Sequence, residues 1–405
     1  MSNQISFIHA ADLHLDSPFQ GLATVPKSIF PFIRQSTFHA FDKLVKTAIE
    51  KNVDFVLLVG DLFDNEKQSL KAQVHLRSGF EKLQKHQINV YLSYGNHDYE
   101  KGNVHPITYP ENVFIFEGEA VSSFIYKKNG QSVARIYGFS YENRAVFENK
   151  TKEYKITDEH IPFHIGMLHG SLYGNQAHDP YAPFQLNELK QKSFDYWALG
   201  HIHKREILSK WPPIVYSGNT QGRHRNESGE KGCYVVTLTK EQIDLEFVPL
   251  HSIMFDTLLV DISHCETIHD IEPLIRKAVT QRECAQLLHL TLTGTALKIH
   301  EWEEMNLIEE VIDLVNESSI HKRPWTYIYR YTVHIPETVD FKENDFFISE
   351  FFRTIEDLSI RSVVKDLYTH RQAKKYLSDF TDDEQQEIKD RAKQLIVNEL
   401  LQGRE

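Results

Sequence analysis

The chain has 405 residues, 41% of them hydrophobic and 25% charged. That is an ordinary globular composition, too long for one small core, and it predicts two or three domains. A formal charge of −12 excludes whole-surface nucleic-acid binding by bulk charge, although a local basic patch stays compatible with it. Three cysteines without finger spacing, a start lacking a basic-then-apolar pattern, and no apolar run of about 18 residues predict a reduced, cytoplasmic protein without disulfide framework, signal peptide or membrane span.

Residues 5–8 predict a strand that runs into HAADLHLDS. Phe38, Phe41, Leu44, Val45, Ala48 and Ile49 follow at helical spacing. VDFVLLVGDLFD reads as a buried strand ending at Gly60-Asp61. Val74, Phe80 and Leu83 predict a second helix, and INVYL a third strand that feeds Gly95-Asn96-His97-Asp98. Strands alternating with helices at this pitch imply parallel strands joined by crossover helices, whose C-terminal ends meet at one edge, where open α/β sheets bind ligands. Further strands are expected in ARIYGF (134–139), FHIGMLHG (163–170) and FDYWALGHIH (194–203). PIVYSGN (213–219) and GCYVVTL (232–238) alternate like antiparallel strands.

Five strand ends therefore carry metal-ligand residue types: Asp12 with His14, Asp61, Asn96 with His97 and Asp98, His169, and His201 with His203. In Asp-x-His and His-x-His both side chains face the same way when extended. Gly60, Gly95 and Gly200 each precede a candidate and allow close backbone approach. With 22 histidines in the chain, a lone one is weak evidence, and Gly-Asn-His-Asp by itself reads as a turn. His9, His75, His105, His164 and His178 are read as structural or surface residues. The ordered conjunction of five signals outweighs the bland reading of each. Asn96 supplies an oxygen, His97 is too close in sequence to share its ion, and Asp98 is placed to orient His97.

The order Asp12-x-His14, Gly60-Asp61-x-x-Asp64, Gly95-Asn96-His97-Asp98, His169-Gly170, Gly200-His201-x-His203 resembles the calcineurin-like metallophosphoesterases. HAADLHLDSPF, GDLFD and YSGNTQGRHRNESGEKGC resemble the SbcD-type DNA-repair exonucleases within them, and most of all their bacterial YhaO branch, across roughly the first 240 residues. The resemblance implies an α/β fold: a β-sandwich of mixed sheets flanked by helices, with a small α+β capping domain and a helical C-terminal tail. It also implies two divalent ions, Mn²⁺ foremost with Fe, Zn, Co or Mg as alternatives. Asp12, His14, Asp61 and His203 would hold one ion, and Asp61, Asn96, His169 and His201 the other. Two cations about 3.5–4 Å apart need a bridging carboxylate and can clamp an in-line displacement at phosphorus. His97 would stabilise the transition state or protonate the leaving oxygen, with Asp98 fixing its tautomer. Some relatives carry His where this chain has Asp64, which leaves strand polarity and the balance of exo- and endonuclease action open. GDLFDN and YGNHDYE depart from the protein-phosphatase pattern.

Arg223, His224, Arg225 and Lys231, with Lys204 and Arg205 just past the last metal loop, form the expected DNA-phosphate surface; the alternative is a solvated hairpin. The expected domains are 1–250, the metallophosphoesterase; 251–337, the capping domain; and 338–405, a helical tail. Trp325, Tyr327, Tyr329 and Tyr331 alternate on one strand face and read as core. Helices are expected from Ile271 to Val279, from Glu301 to Val315, along Phe347, Phe351, Ile355 and Leu358, and after a capping box at Thr381-Asp382-Asp383-Glu384. The family implies that the tail docks a coiled-coil ATPase of SbcC or YhaN type; packing on the chain's own core is the competing reading, and a homodimer stays open. The leading function is a Mn-dependent DNA exo/endonuclease. The alternatives are a phosphomonoesterase or nucleotide phosphodiesterase on small substrates, and a non-catalytic scaffold.

Overall fold

The computed structural model describes residues 4–334 apart from 20–21, 23–24, 65–67, 103–106, 175–180, 280–282 and 295–298, and then 346–365 and isolated positions between 385 and 396. The first half runs β1 (Gln4–Ala10), α1 (Phe30–Glu50), β2 (Phe55–Val59), α2 (Leu70–Lys85), β3 (Asn89–Ser93), β4 (Val113–Ile115), β5 (Ser122–Lys128), β6 (Gln131–Gly138) and β7 (Phe163–His169). Next come α3 (Leu186–Lys190), β8 (Tyr196–Gly200), β9 (Glu206–Lys210), β10 (Pro213–Tyr216), β11 (Gly232–Thr239) and β12 (Ile243–Pro249). The remainder is β13 (Ile253–Asp261), α4 (Ile271–Ala278), β14 (Ala285–Thr293), α5 (Ile299–Glu304), α6 (Leu307–Ile320), β15 (Thr326–His334) and α7 (Phe346–Asp357).

Two six-stranded mixed sheets, ordered β12-β11-β1-β2-β3-β4 and β5-β6-β7-β8-β10-β9, pack face to face. The period-2 alternation of each strand assigns its side chains to layers. Phe55, Leu57 and Val59 of β2 meet Phe163, Ile165 and Met167 of β7 and Ala198 of β8 between the sheets. Val56 and Leu58 point the other way, into a layer filled by Phe41, Leu44, Ala72, Leu76 and Phe80 of α1 and α2. Strand β2 is buried throughout, as expected of a central parallel strand covered on both faces. Helix α2 begins where Ser69 accepts a hydrogen bond from the Ala72 amide at 3.1 Å.

A third sheet, β13-β14-β15, is parallel throughout. One face packs on α4 and α6 through Ile271, Ile275, Ile308 and Ile312. The other receives Phe19, Ile29 and Ile33 from the N-terminal segment. That second contact ties the third sheet to the sandwich: the chain divides into two compact units, Met1–Ile335 and Pro336–Glu405.

Several expectations need correction. PIVY and GCYVVTL are antiparallel strands as expected, β10 to β9 and β11 to β1 and β12, but they lie in different sheets, and β10 also runs parallel to β8. The helix expected from Glu301 to Val315 is two helices, broken where Asn306 takes a left-handed conformation at φ 55°. In β15 the register slips by one residue at Tyr329, so Trp325 and Tyr327 face the N-terminal segment while Tyr331 joins the opposite core. In α7 and just past it, Ile355 is buried while Phe351 and Leu358 are exposed. The box at 381–384 lies outside the described residues, as do His105 and His178. Among the described residues no helix is long and apolar enough to cross a membrane.

Candidate metal centre

The strand ends converge as their order predicts. Asp12 and His14 follow β1, Asp61 follows β2, Asn96 and His97 follow β3, His169 ends β7, and His201 and His203 follow β8. The chain turns sharply at each, and Asp12, His14, Asp61 and His201 sit at φ 54°, 42°, 51° and 91°. Non-glycine residues in this region cost of order 1–3 kcal/mol each and persist only where the surroundings over-determine them. Backbone bonds do so here: the Asp12 amide donates to the Gly60 carbonyl at 3.1 Å and the His14 amide to the Asp61 carbonyl at 3.0 Å. Gly95 is required for a different reason, because a Cβ there would collide with the Asp61 carboxylate and the His169 ring.

Two groups of ligand atoms share Asp61. In the first, Asp12, His14, Asp61 and His203 each offer an atom within 4.8 Å of the others. The Nε2 atoms of His14 and His203 face each other at 3.1 Å, and His14 Nε2 lies 3.8 Å from Asp61 Oδ2. In the second, Asn96 Oδ1 lies 3.1 Å from His169 Nε2 and 3.2 Å from His201 Nδ1, while His169 Nε2 is 3.5 Å from the same Asp61 Oδ2. The other Asp61 oxygen is occupied, since it accepts the His97 amide at 3.0 Å.

Neighbours orient the rings. His169 Nδ1–H donates to the Val59 carbonyl at 3.0 Å, which turns Nε2 towards the cluster. His203 Nδ1–H donates to Glu227 Oε1 at 2.6 Å with the same effect. The Nε2 atoms of His14 and His203 meet at 3.1 Å beside the Asp12 and Asp61 carboxylates, and this close set of mixed nitrogen and oxygen donors fits a divalent metal. Burial raises the pKa of Asp12. Burial also opposes charge on Asp61, but His169 beside it holds that carboxyl well below its usual range. Against the effect of burial, the Asp61 carboxylate raises His169 to about 9. His14 is lowered well below its ordinary value by burial and then by the Arg223 charge.

Two expected roles change. Asp98 does not orient His97: its oxygens accept from the Leu62 and Gly95 amides, both at 2.6 Å, and so hold the Asp61 and Asn96 turns together. It is fully buried, and that burial and then the Asp61 charge push its pKa up to about 7. His97 Nδ1–H donates instead to the Asp64 carbonyl at 3.0 Å. The expected phosphate surface is smaller too. Lys231 is buried and its Nζ donates to the His203 carbonyl at 3.1 Å. Arg223 turns inward onto Asp64 and Glu227. Lys204, Arg205 and His224 are exposed, with Arg205 lying over the Phe247 ring at 3.5 Å, and Arg225 is half-buried.

Glu227 was not singled out from sequence. It is 4% exposed and accepts from His203, from Asn219 Nδ2 at 2.9 Å and from the Arg223 amide at 2.7 Å. Tyr141 was also missed; its hydroxyl donates to the His169 carbonyl at 2.9 Å, with its ring edge-on to the imidazole. The signal for Glu227 lay within SGNTQGRHRNESGEKG, but nothing in the spacing links it to a histidine before that loop.

Comparison with known proteins agrees with this geometry. Residues 5–205 match the family described as calcineurin-like phosphoesterase. The chain is 36% identical over 407 residues to the metallophosphoesterase YhaO of Bacillus subtilis (strain 168), covering 99% of both chains. It is 30% identical over 254 residues to the DNA double-strand break repair protein Mre11 of Methanocaldococcus jannaschii, covering 59% of this chain and 64% of that one. The corresponding Mre11 of Thermoplasma acidophilum is 27% identical over 276 residues, covering 64% of this chain and 71% of that one. The Asp and His cluster of this chain could hold a divalent metal, and the chain belongs to the calcineurin-like phosphoesterase family of metal-dependent phosphoester hydrolases.

Proposed function

We propose that the chain is a two-metal phosphodiesterase that cuts DNA, in the SbcD-type branch, working with a coiled-coil ATPase of SbcC or YhaN type. Asp12, His14, Asp61 and His203 would hold one divalent ion, and Asp61, Asn96, His169 and His201 the other. Such ions, when bound, would supply charge neutralisation at the phosphoryl oxygens and a more acidic water, and the mixed imidazole and oxygen donors suit Mn²⁺.

The observation that carries the reading is the pairing of His97 with this cluster. Its amide is fixed on Asp61 Oδ1, its Nδ1–H is fixed on Asp64, and its ring is half-buried. Nε2 is thereby the nitrogen free to meet a phosphate or to protonate a leaving oxygen. Support for DNA as substrate comes from the Mre11 relatives and from exposed Lys204, Arg205 and His224 beside the last metal loop.

The test is digestion of end-labelled duplex and single-stranded DNA with and without Mn²⁺, run beside an aryl phosphate monoester, with Asp61→Ala as control. DNA cutting that needs both Mn²⁺ and Asp61, with poor monoester turnover, is expected. Efficient monoester hydrolysis with intact DNA would make the protein a phosphomonoesterase instead.

A further inference from the structure

Arg223 looks from sequence like a phosphate-binding side chain, yet it lies inside a ring of charged groups. Its Nη1 is ion-paired with Asp64 Oδ1, and its Nη2 lies 3.4 Å from both Glu227 Oε1 and His203 Nδ1. Its own amide donates to Glu227 Oε2 at 2.7 Å, so Glu227 holds it at both ends. The side chains of Arg223, Asp64 and Glu227 are 12%, 13% and 5% exposed. To reach a substrate phosphate the guanidinium would have to leave two nearly buried carboxylates, and Asp64 would lose its charged partner.

Asp64 has a second contact. Its carbonyl accepts the Nδ1–H of His97 at 3.0 Å, while its carboxylate also lies 3.5 Å from His14 Nδ1. The backbone before it is pinned, since the Leu15 amide donates to the Leu62 carbonyl at 2.9 Å. A parallel bridge between Leu15 and Phe63 carries this anchoring up to Asp64, and the Asp64 side chain is fixed separately by the Arg223 ion pair.

We propose that Arg223 is a positioning residue for His97. By tying the Asp64 side chain to Glu227 it fixes the carbonyl on which the His97 ring rests, and so sets the presentation of Nε2. The inference rests on the reading of His97 given above. It makes the guanidinium an internal strut of the centre, with no direct contact to DNA.

The test uses the full chain loaded with Zn²⁺, with ring-¹⁵N-labelled histidine, and a simple aryl phosphate diester as substrate. The His97 Nδ1–H resonance is identified by its loss in His97→Ala. Arg223→Gln and Asp64→Asn are expected to lose that resonance to solvent exchange. They are also expected to lower kcat by about 10- to 100-fold, the scale of small misplacements of a reacting group, with KM largely kept. In a His97→Ala background Arg223→Gln should cost less than about twofold more, because the partner it positions is gone. A resonance unchanged in both variants, or a full penalty in the His97→Ala background, overturns the proposal. So does an unchanged resonance with a salt slope of DNA binding reduced by about 0.9, which marks a phosphate contact. Loss of the resonance with no change in kcat leaves the strut in place and removes His97 from catalysis, which separates the two readings. Asp64→Asn guards against misfolding, since Arg223 keeps its contact to Glu227 in that variant.

Discussion

His203 and Glu227 are joined by a 2.6 Å hydrogen bond from Nδ1 to Oε1, across a loop that separates them by 24 residues. A carboxylate behind a histidine fixes the ring and makes its other nitrogen a better donor; such partners typically contribute 10- to 100-fold in metal affinity. Glu227→Gln is expected to weaken binding of the ion that His203 would hold by about that factor, read by chelator competition with added Mn²⁺. Affinity within about twofold of the parent would show that the bond serves the loop alone.

His97 is half-buried, is bound through its amide to Asp61 and through its ring to Asp64, and belongs to neither group of ligand atoms. His97→Ala should keep its full metal content by elemental analysis while kcat for a diester falls by about 10²- to 10⁴-fold. Loss of an ion in this variant would mean that the ring is a ligand.

His9 is a structural histidine whose charge is suppressed. It is 0% exposed, its Nε2–H donates to the Leu199 carbonyl at 3.1 Å, and its Nδ1 pairs with the Tyr196 hydroxyl at 3.0 Å. Burial lowers its pKa from 6.5 to about 3. Between those values the unfolded chain takes up a proton that the folded chain refuses. Stability is therefore complete above the upper value and declines as pH falls, by up to about 1.4 kcal/mol per pH unit. Urea unfolding at pH 6.5 and 5.0 should show a smaller decline for His9→Gln than for the parent. Equal declines would place the acid sensitivity elsewhere.

The parts of this centre that were legible in the sequence are those fixed by strand direction. Asp12, Asp61, Asn96, His169 and His201 end parallel strands, so position along the chain gives position at the edge. Glu227, Arg223 and Asp98 act through loop geometry, where no periodicity connects a side chain with its partner. Arg223 and Lys231 read as surface cations because composition cannot reveal a buried carboxylate or carbonyl waiting for them. The aromatic run of β15 was read with a regular period of two, and a single bulge at Tyr329 moved Tyr331 to the other face.

The segment after residue 335 forms its own compact unit, and α7 within it exposes Phe351. Ending the chain at Ile335 should leave a folded protein that binds metal and cleaves a small diester, since all proposed ligands precede residue 204. If the proposed docking of a coiled-coil ATPase runs through this segment, the shortened chain should lose co-purification with such an ATPase and any ATP-stimulated cutting of long DNA. Aggregation of the shortened chain, or a large drop in melting temperature, would assign these apolar faces to the protein's own core.

Asp12, His14, Asp61 and Asn96 are carried by the first sheet, whereas His169, His201 and His203 are carried by the second. Any ion held by this set is therefore a rivet through both layers of the sandwich at one edge. Apolar contact between facing layers resists separation but has little directional preference against sliding. Coordination bonds have fixed lengths and angles, so they set the offset of one layer against the other. The rim that a phosphate chain would meet is then only as rigid as the metal that fastens it.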